Sequence, residues 1–249
     1  MRSKFSLKHF LDLYSPDFVF LSEPMLFQCD TLLAMNLFKG EYSSSLSSDD
    51  VFDHELPLIK NRAKGGTMAL WKRHLDQYVS VLASSSSSFL PIVFSFPDLP
   101  VTILITLYLP TAGKDVEEIA KLDGCIDDLS AKHPESVIFI KCDANINRGD
   151  KNINAMLKKI CNDWDLVRMD LGLNSYHHFV GNGISDSQLD VLLRSKNHSE
   201  TLNNIFCKHD DPQISSHHDA LLSTFLLPRL QKSPQVVNPL APRIANDHV

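Results

Sequence analysis

Val137-Ile138-Phe139-Ile140-Lys141-Cys142-Asp143-Ala144-Asn145 is the stretch on which the reading of this chain turns. Its first four residues form a short apolar run of the kind a buried strand carries, and polar, chemically capable residues follow at once. Just upstream, Val116 to Ala131 places Ile119, Leu122, Ile126 and Leu129 on one face at helical spacing. Strand ends are rigid, so an Asp and an Asn placed there can be held in fixed geometry toward other groups.

The same form recurs on either side. Phe18-Val-Phe-Leu21 is a strand-length apolar run followed immediately by Ser22-Glu23-Pro24. Thr67 to Trp71 follows Gly65-Gly66, and Val101 to Leu109 is strongly β-forming, carries Tyr108 near its end and stops at Pro110. Tyr78 to Leu82 and Leu90 to Phe96 read as a strand pair joined by the serine run Ser84 to Ser88, expected to be a solvated hairpin loop. Leu189 to Leu193 and Leu221 to Leu227 read as later strands. Leu7 to Tyr14 and Ile153 to Trp164 read as helices, and the segment from Cys29 to Ala63 as polar, with Ser43 to Asp50 a loop. Helices and strands alternate early while later strands follow one another through loops. That mixture predicts an α/β sandwich of two mixed sheets flanked by helices rather than a doubly wound parallel sheet. One domain over residues 1–228 is expected, with a disordered Pro- and Asn-rich tail at 229–249.

Composition sets outer bounds. Of 249 residues, 43% are hydrophobic and 22% charged, which is ordinary for a globular domain with a sizeable core. The formal charge of −6 carries no global basic signature, so attraction to nucleic acid would have to be local. No apolar run approaches the roughly 18 residues of a membrane span, so no membrane partner is expected. The opening MRSKFSLKHFLDLYSPD is broken by charges and lacks a signal-peptide core. Cys29, Cys125, Cys142, Cys161 and Cys207 are odd in number and show no CxxC spacing, which disfavours a disulfide framework or structural zinc. The expected setting is therefore a reducing one, cytoplasm or nucleus.

Six segments in one order carry a family resemblance: FLSEP at 20–24, GGTMALWK at 65–72, LYLPTAG at 107–113, IKCDANIN at 140–147, SDSQLDVLL at 185–193 and SSHHDALL at 215–222. The chain from Leu7 to Leu227 resembles the endonuclease/exonuclease/phosphatase superfamily, in the branch carried by non-LTR retrotransposon reverse-transcriptase polyproteins. The resemblance implies a deoxyribonuclease-like fold and Mg²⁺- or Mn²⁺-dependent cleavage of the DNA phosphodiester backbone. It implies Glu23 as metal ligand and Tyr108 as a contact to the scissile phosphate. Asp143 would orient or deprotonate the attacking water, and Asn145 would hold the phosphate. Asp190 would orient His218, which would stabilise the charge of the transition state.

Two departures accompany it. The family opens with a strand carrying a metal-side Asn, and this sequence starts after that point. The family also has an Asp where this chain has His217, which therefore stands as a candidate metal ligand beside Glu23. Loss of hard oxygen ligands disfavours Mg²⁺, which binds oxygen and dehydrates reluctantly. Taken singly, the candidates have plainer readings: Glu23 as a surface acid, and Asp143 with Asn145 as a turn or cap. A zinc cluster of His177-His178 with His217-His218 lacks zinc-type spacing to Cys or carboxylate. Three functions stay open: a strand-nicking DNA endonuclease, a phosphatase or small-molecule phosphodiesterase on the same fold, and an inactive retrotransposon-derived relic.

Overall fold

The computed structural model describes residues 2–24, 26–27, 29, 36, 38, 40–48, 65–109, 115–144, 151–169, 176–180, 183–187, 189–196, 202–208 and 220–225. The amino-terminal half runs α1 (Arg2–Tyr14), β1 (Phe18–Ser22), β2 (Tyr42–Ser47), β3 (Thr67–Lys72), a 3₁₀ helix (Arg73–Tyr78), β4 (Val79–Val81), β5 (Phe89–Phe94) and β6 (Thr102–Tyr108). After it come α2 (Asp115–Lys132), β7 (Val137–Asp143), α3 (Lys151–Asp163), β8 (Leu166–Met169) and β9 (Tyr176–Val180). The last described elements are β10 (Gly183–Ser187), β11 (Asp190–Ser195), β12 (Leu202–Lys208) and β13 (Ala220–Phe225).

These strands form one sheet in the order β1-β3-β2, another in the order β4-β5-β6-β7-β11-β8, and the two-stranded ribbons β9-β10 and β12-β13. In the larger sheet β6 and β7 are parallel, joined through α2, while β5–β6, β7–β11 and β11–β8 are antiparallel. The expected mixed α/β sandwich is what the chain forms.

Alternation along the strands explains the layering. Ile103, Ile105 and Leu107 of β6, and Ile138, Ile140 and Cys142 of β7, pack against Ile119, Leu122, Ile126 and Leu129 of α2 and Leu157 and Ile160 of α3. On the opposite face, Leu104, Val137 and Phe139 meet Ala69 and Trp71 of the smaller sheet. Between the sheets, Phe18 and Phe94 make an edge-to-face contact with centroids 4.2 Å apart. The outer face of the smaller sheet, with Val19, Met68 and Leu70, is covered by Phe10 and Leu11 of α1. Each such side chain contributes about 1.5–3 kcal/mol when fully buried. The order is helix, sheet, sheet, helices. Among the described residues no helix is long and apolar enough to cross a membrane.

Two expectations are corrected. Residues 42–47, within the segment read as polar loop, form β2, paired along its whole length with β3 from Tyr42↔Lys72 to Ser47↔Thr67. The serines carry no strand-like apolar pattern, and pairing to a neighbour supplies what propensity does not. The serine run is also not simply solvated. The Ser86 and Ser87 carbonyls accept hydrogen bonds from Ser47 Oγ (3.4 Å) and Thr67 Oγ1 (3.2 Å), and Ser88 O accepts one from Tyr108 N (2.7 Å). Ser86 Oγ donates to the Glu118 carboxylate on α2. The expected tail at 229–249 lies outside the described residues, as does the end of the domain at 228.

Candidate active site

The layer between the two sheets is apolar over most of its extent and turns polar at one end. On the face of β7 that carries Val137 and Phe139, alternation brings Lys141 and then Asp143. Register extends this pattern across three strands. Tyr108 of β6 stands opposite Asp143, and Asp143 stands opposite Asp190 of β11, so the three form one row. One step inward, Thr106, Lys141 and Leu192 form the next row. Asp143 and Asp190 are buried, 3% and 2% exposed respectively. Thr106 is wholly buried, and its hydroxyl has no hydrogen-bond partner among the described residues.

Glu23 enters this end from the other sheet. It directly follows β1 and takes a left-handed backbone, φ 52°, which costs a non-glycine residue about 1–2 kcal/mol. Its N–H donates to Gly66 O at 3.1 Å, holding the β1 end to the segment before β3. Its carboxylate Oε1 accepts a hydrogen bond from the Tyr108 hydroxyl, across the gap between the sheets. The Tyr108 phenol is pushed well above a tyrosine's usual range, first by burial, then by that hydrogen bond and by the charges of Glu23 and Asp143. It therefore remains a donor, and its single proton is given to Glu23.

Two glycines precede β3 beside the pair, and the first of them makes room for the Tyr108 ring. Gly65 and Gly66 both have positive φ, +69° and +83°. A Cβ on Gly65 would lie 2.9 Å from Tyr108 Cε1, and one on Gly66 would lie 3.0 Å from Ser47 O and 3.7 Å from Pro24 Cγ. The Tyr108 ring is thus seated against bare backbone, which only glycine leaves open. Sequence reading located this pair as the start of a strand but gave it no part in the site.

Lys141 was also missed. Its ammonium donates to Ser22 Oγ at 2.8 Å, on the facing sheet, and pairs with Asp190 Oδ1 at 3.1 Å on the neighbouring strand. The signal was present in the sequence, since residues 141 and 143 of one strand must share a face. Cys142, between them, points the other way, and burial followed by the Asp143 charge pushes its thiol well up. It has the character of a packing residue rather than a nucleophile.

The described candidates Glu23, Tyr108, Asp143 and Asp190 therefore come together, linked by register and by the Tyr108–Glu23 bond. Asn145, His217 and His218 lie outside the described residues, as do the side chains of His177 and His178 on β9. Among the described residues no group of three or more His, Cys, Asp or Glu is placed to hold a metal ion.

This architecture, with its two facing mixed sheets and helices outside, is a deoxyribonuclease-like fold. Solved structures that share it include the endonuclease domain of TRAS1, a telomere-specific non-LTR retrotransposon, at TM-score 0.66 and 12% identity, covering 92% of this chain and 94% of that one. The AP endonuclease LMAP from Leishmania major matches at TM-score 0.69 and 14% identity, over 90% of this chain and 82% of its own. The 3′ phosphatase NExo from Neisseria, bound to a product DNA hairpin, matches at TM-score 0.60 and 13% identity, over 88% and 92%. At these identities the likeness establishes the fold and nothing finer. No protein-family model matches the sequence, and no curated protein does.

Proposed function

We propose that this chain hydrolyses phosphodiester bonds in DNA with the help of a divalent cation, as a strand-nicking endonuclease of retrotransposon origin. The observation that carries the reading is the row Tyr108–Asp143–Asp190 at the polar end of the inter-sheet layer, with Glu23 bonded to Tyr108 from the facing sheet. Buried acids at strand ends need a reason, since each is expensive to keep there. The order of the six sequence segments, and the likeness of the fold to nucleases and to a DNA 3′ phosphatase, support it further.

The described residues include no group of three or more His, Cys, Asp or Glu placed to hold a metal ion, so the cation rests on the family resemblance. Mg²⁺ and Mn²⁺ take oxygen ligands, and Mg²⁺ commonly uses one or two carboxylates with water and substrate phosphate filling the remaining positions. Glu23 supplies such a carboxylate, with His217 as the second candidate ligand. When bound, the cation supplies polarisation of the phosphoryl oxygens. The chain's own residues do the rest. Tyr108 fixes the Glu23 carboxylate, and it would contact a phosphate only by redirecting its proton. Asp143 would orient or deprotonate the attacking water, Asn145 would hold the phosphate, and His218, oriented by Asp190, would stabilise developing charge.

One observation favours a weakened form of this enzyme. Asp190 Oδ1 is engaged by Lys141, so a histidine oriented by Asp190 would have to share that carboxylate. Incubation of supercoiled plasmid in Mg²⁺ and in Mn²⁺ tests the whole reading. Little nicking in Mg²⁺ and measurable nicking in Mn²⁺ is expected, with a gain in Mg²⁺ on His217→Asp. Release of phosphate from soluble monoesters without nicking would favour a phosphatase. A cooperatively melting protein that does neither would be the relic.

A further inference from the structure

Among the described residues, the polar end of the inter-sheet layer is rich in acceptors and short of donors. Tyr108 gives its single proton to Glu23, so that hydroxyl is already committed. The Thr106 hydroxyl is unpartnered but wholly buried, out of reach of a solute. Lys141 and Ser22 are placed differently. Of the three donors on the Lys141 ammonium, Ser22 Oγ accepts one at 2.8 Å and Asp190 Oδ1, 3.1 Å away, takes another. The third has no partner among the described residues. Ser22 Oγ, by accepting from Lys141, keeps its own proton to give. The Lys141 side chain is 21% exposed and that of Asp190 3%, so an entering solute meets the ammonium before the carboxylate. Lys141 stands two residues before Asp143 on the same face of β7, and Ser22 directly precedes Glu23. One N–H and one O–H thus lie side by side, from facing sheets, next to the row Tyr108–Asp143–Asp190.

We propose that Lys141, with the Ser22 hydroxyl beside it, holds a backbone phosphate of the nucleic acid at this site. This rests on the reading of this end as the place where DNA is cleaved. A lysine takes a phosphodiester as a point charge, and a hydroxyl donor fixes one of its oxygens. Glu23, Asp143 and Asp190 repel an anion, so the ammonium decides where on this end a phosphate comes to rest. Such a contact carries no sequence information, and Lys141 therefore contributes affinity and register rather than choice of target. It needs no bound cation, which separates it from the hydrolytic step.

A plainer role is a mechanical tie between the sheets, and the salt dependence of binding separates the two. Binding of a short fluorescent DNA duplex is followed by anisotropy across a salt series in EDTA, with melting curves to confirm that each protein is folded. A phosphate held by a cation adds about 0.9 to the slope of log affinity against log salt. Lys141→Met should lower the slope by about that amount and weaken binding alike on duplexes of unrelated sequence. Lys141→Arg should keep the parent's slope, and Ser22→Ala should weaken binding without changing it. Lys141→Met removes an ion partner of buried Asp190 and can cost the fold its stability. The double variant Lys141→Met/Asp190→Asn removes both charges and should show the same loss of slope, whereas a lysine that only ties the sheets predicts the parent's slope. The parent's slope in the folded lysine variants overturns the contact and leaves the nuclease reading to the plasmid assay. An equal loss in Lys8→Met, an exposed lysine of α1, means diffuse attraction and overturns the contact as well. A parent chain that binds no duplex at any salt overturns both.

Discussion

Gly65→Ala measures how tightly the Tyr108 ring is seated, and its cost follows from two independent terms. The backbone at Gly65 has φ +69°, where an alanine is strained by about 1–2 kcal/mol. The new Cβ would also stand 2.9 Å from Tyr108 Cε1 and 3.3 Å from Cδ1, too close for carbon atoms. The ring cannot swing freely, because its hydroxyl is bonded to Glu23 and the backbone N–H of the same residue to Ser88 O. Overpacking of this kind costs about 1–3 kcal/mol. The sum, about 2–5 kcal/mol, corresponds to a fall in melting temperature of about 5–15 °C for a domain of this size. Gly124→Ala is the internal control. Gly124 lies within the exposed face of α2 with no atom within 4 Å of a built Cβ, so alanine there should add about 0.5–1 kcal/mol. Differential scanning calorimetry of the three proteins at one scan rate should move the two variants in opposite directions. A Gly65→Ala melting temperature within about 2 °C of the parent's would refute the packing of Tyr108 on this backbone, and with it the geometry assigned to Glu23.

Three further outcomes follow from the same geometry. Tyr108→Phe should lose about 1.5–3 kcal/mol, the value of a hydrogen bond to a charged group, and the loss should vanish in a Glu23→Ala background if the two side chains act only on each other. Burial raises the Glu118 carboxyl, but hydrogen bonds from Ser86, Lys121 and Ser88 outweigh it and hold the group below its ordinary value of 4.5. A depressed acid contributes stability above that value and loses it as pH falls through the folded pKa. Melting curves against pH should therefore show an acid-side loss that is smaller in Glu118→Gln, and identical curves would mean the serine loop is not tied there. Iodoacetamide at pH 8 should alkylate exposed Cys29 and spare Cys142, whose thiol is buried and pushed up. Because that pKa is raised, its contribution to stability is present below the ordinary thiol value of 9.0 and lost as pH rises past it. Labelling of Cys142 in the folded protein, read by mass spectrometry, would contradict the burial.

What the sequence made legible follows from where its signals lie. Apolar runs bounded by turn residues located β1, β3, β6, β7, β11 and β13, and the 3.6-residue period located α2, because burial imposes those patterns directly. Asp190 falls at the first residue of β11 rather than within it, a boundary shift that puts it in register with Asp143. The serine-rich β2 was illegible, since Ser43 to Ser45 owe their strand to pairing with β3 and not to their own preference. Glu23, Tyr108 and Asp143 could be named as candidates because each follows or ends an apolar run of strand length, and Asp190 through the family resemblance. That Tyr108, Asp143 and Asp190 form one row could not be named, because register across β6, β7 and β11 is a long-range property. Lys141 escaped for a related reason. One lysine in an apolar strand looks like an edge or a solvent contact until the partners on two other strands are known.

The central claim is that these strand ends form a site that breaks phosphodiester bonds, and Asp143→Asn tests it most directly. The change keeps the shape of a residue that is 3% exposed and removes its capacity to accept a proton. Nicking of supercoiled plasmid in Mn²⁺ would be followed under single-turnover conditions for both proteins, with melting curves to confirm that each is folded. Loss of an oriented general base costs about 10²–10⁴ in rate, so the asparagine variant should nick slower by that factor at an unchanged melting temperature. Nicking at the parent's rate by folded Asp143→Asn would show that the row around Asp143 is not where the bond is broken.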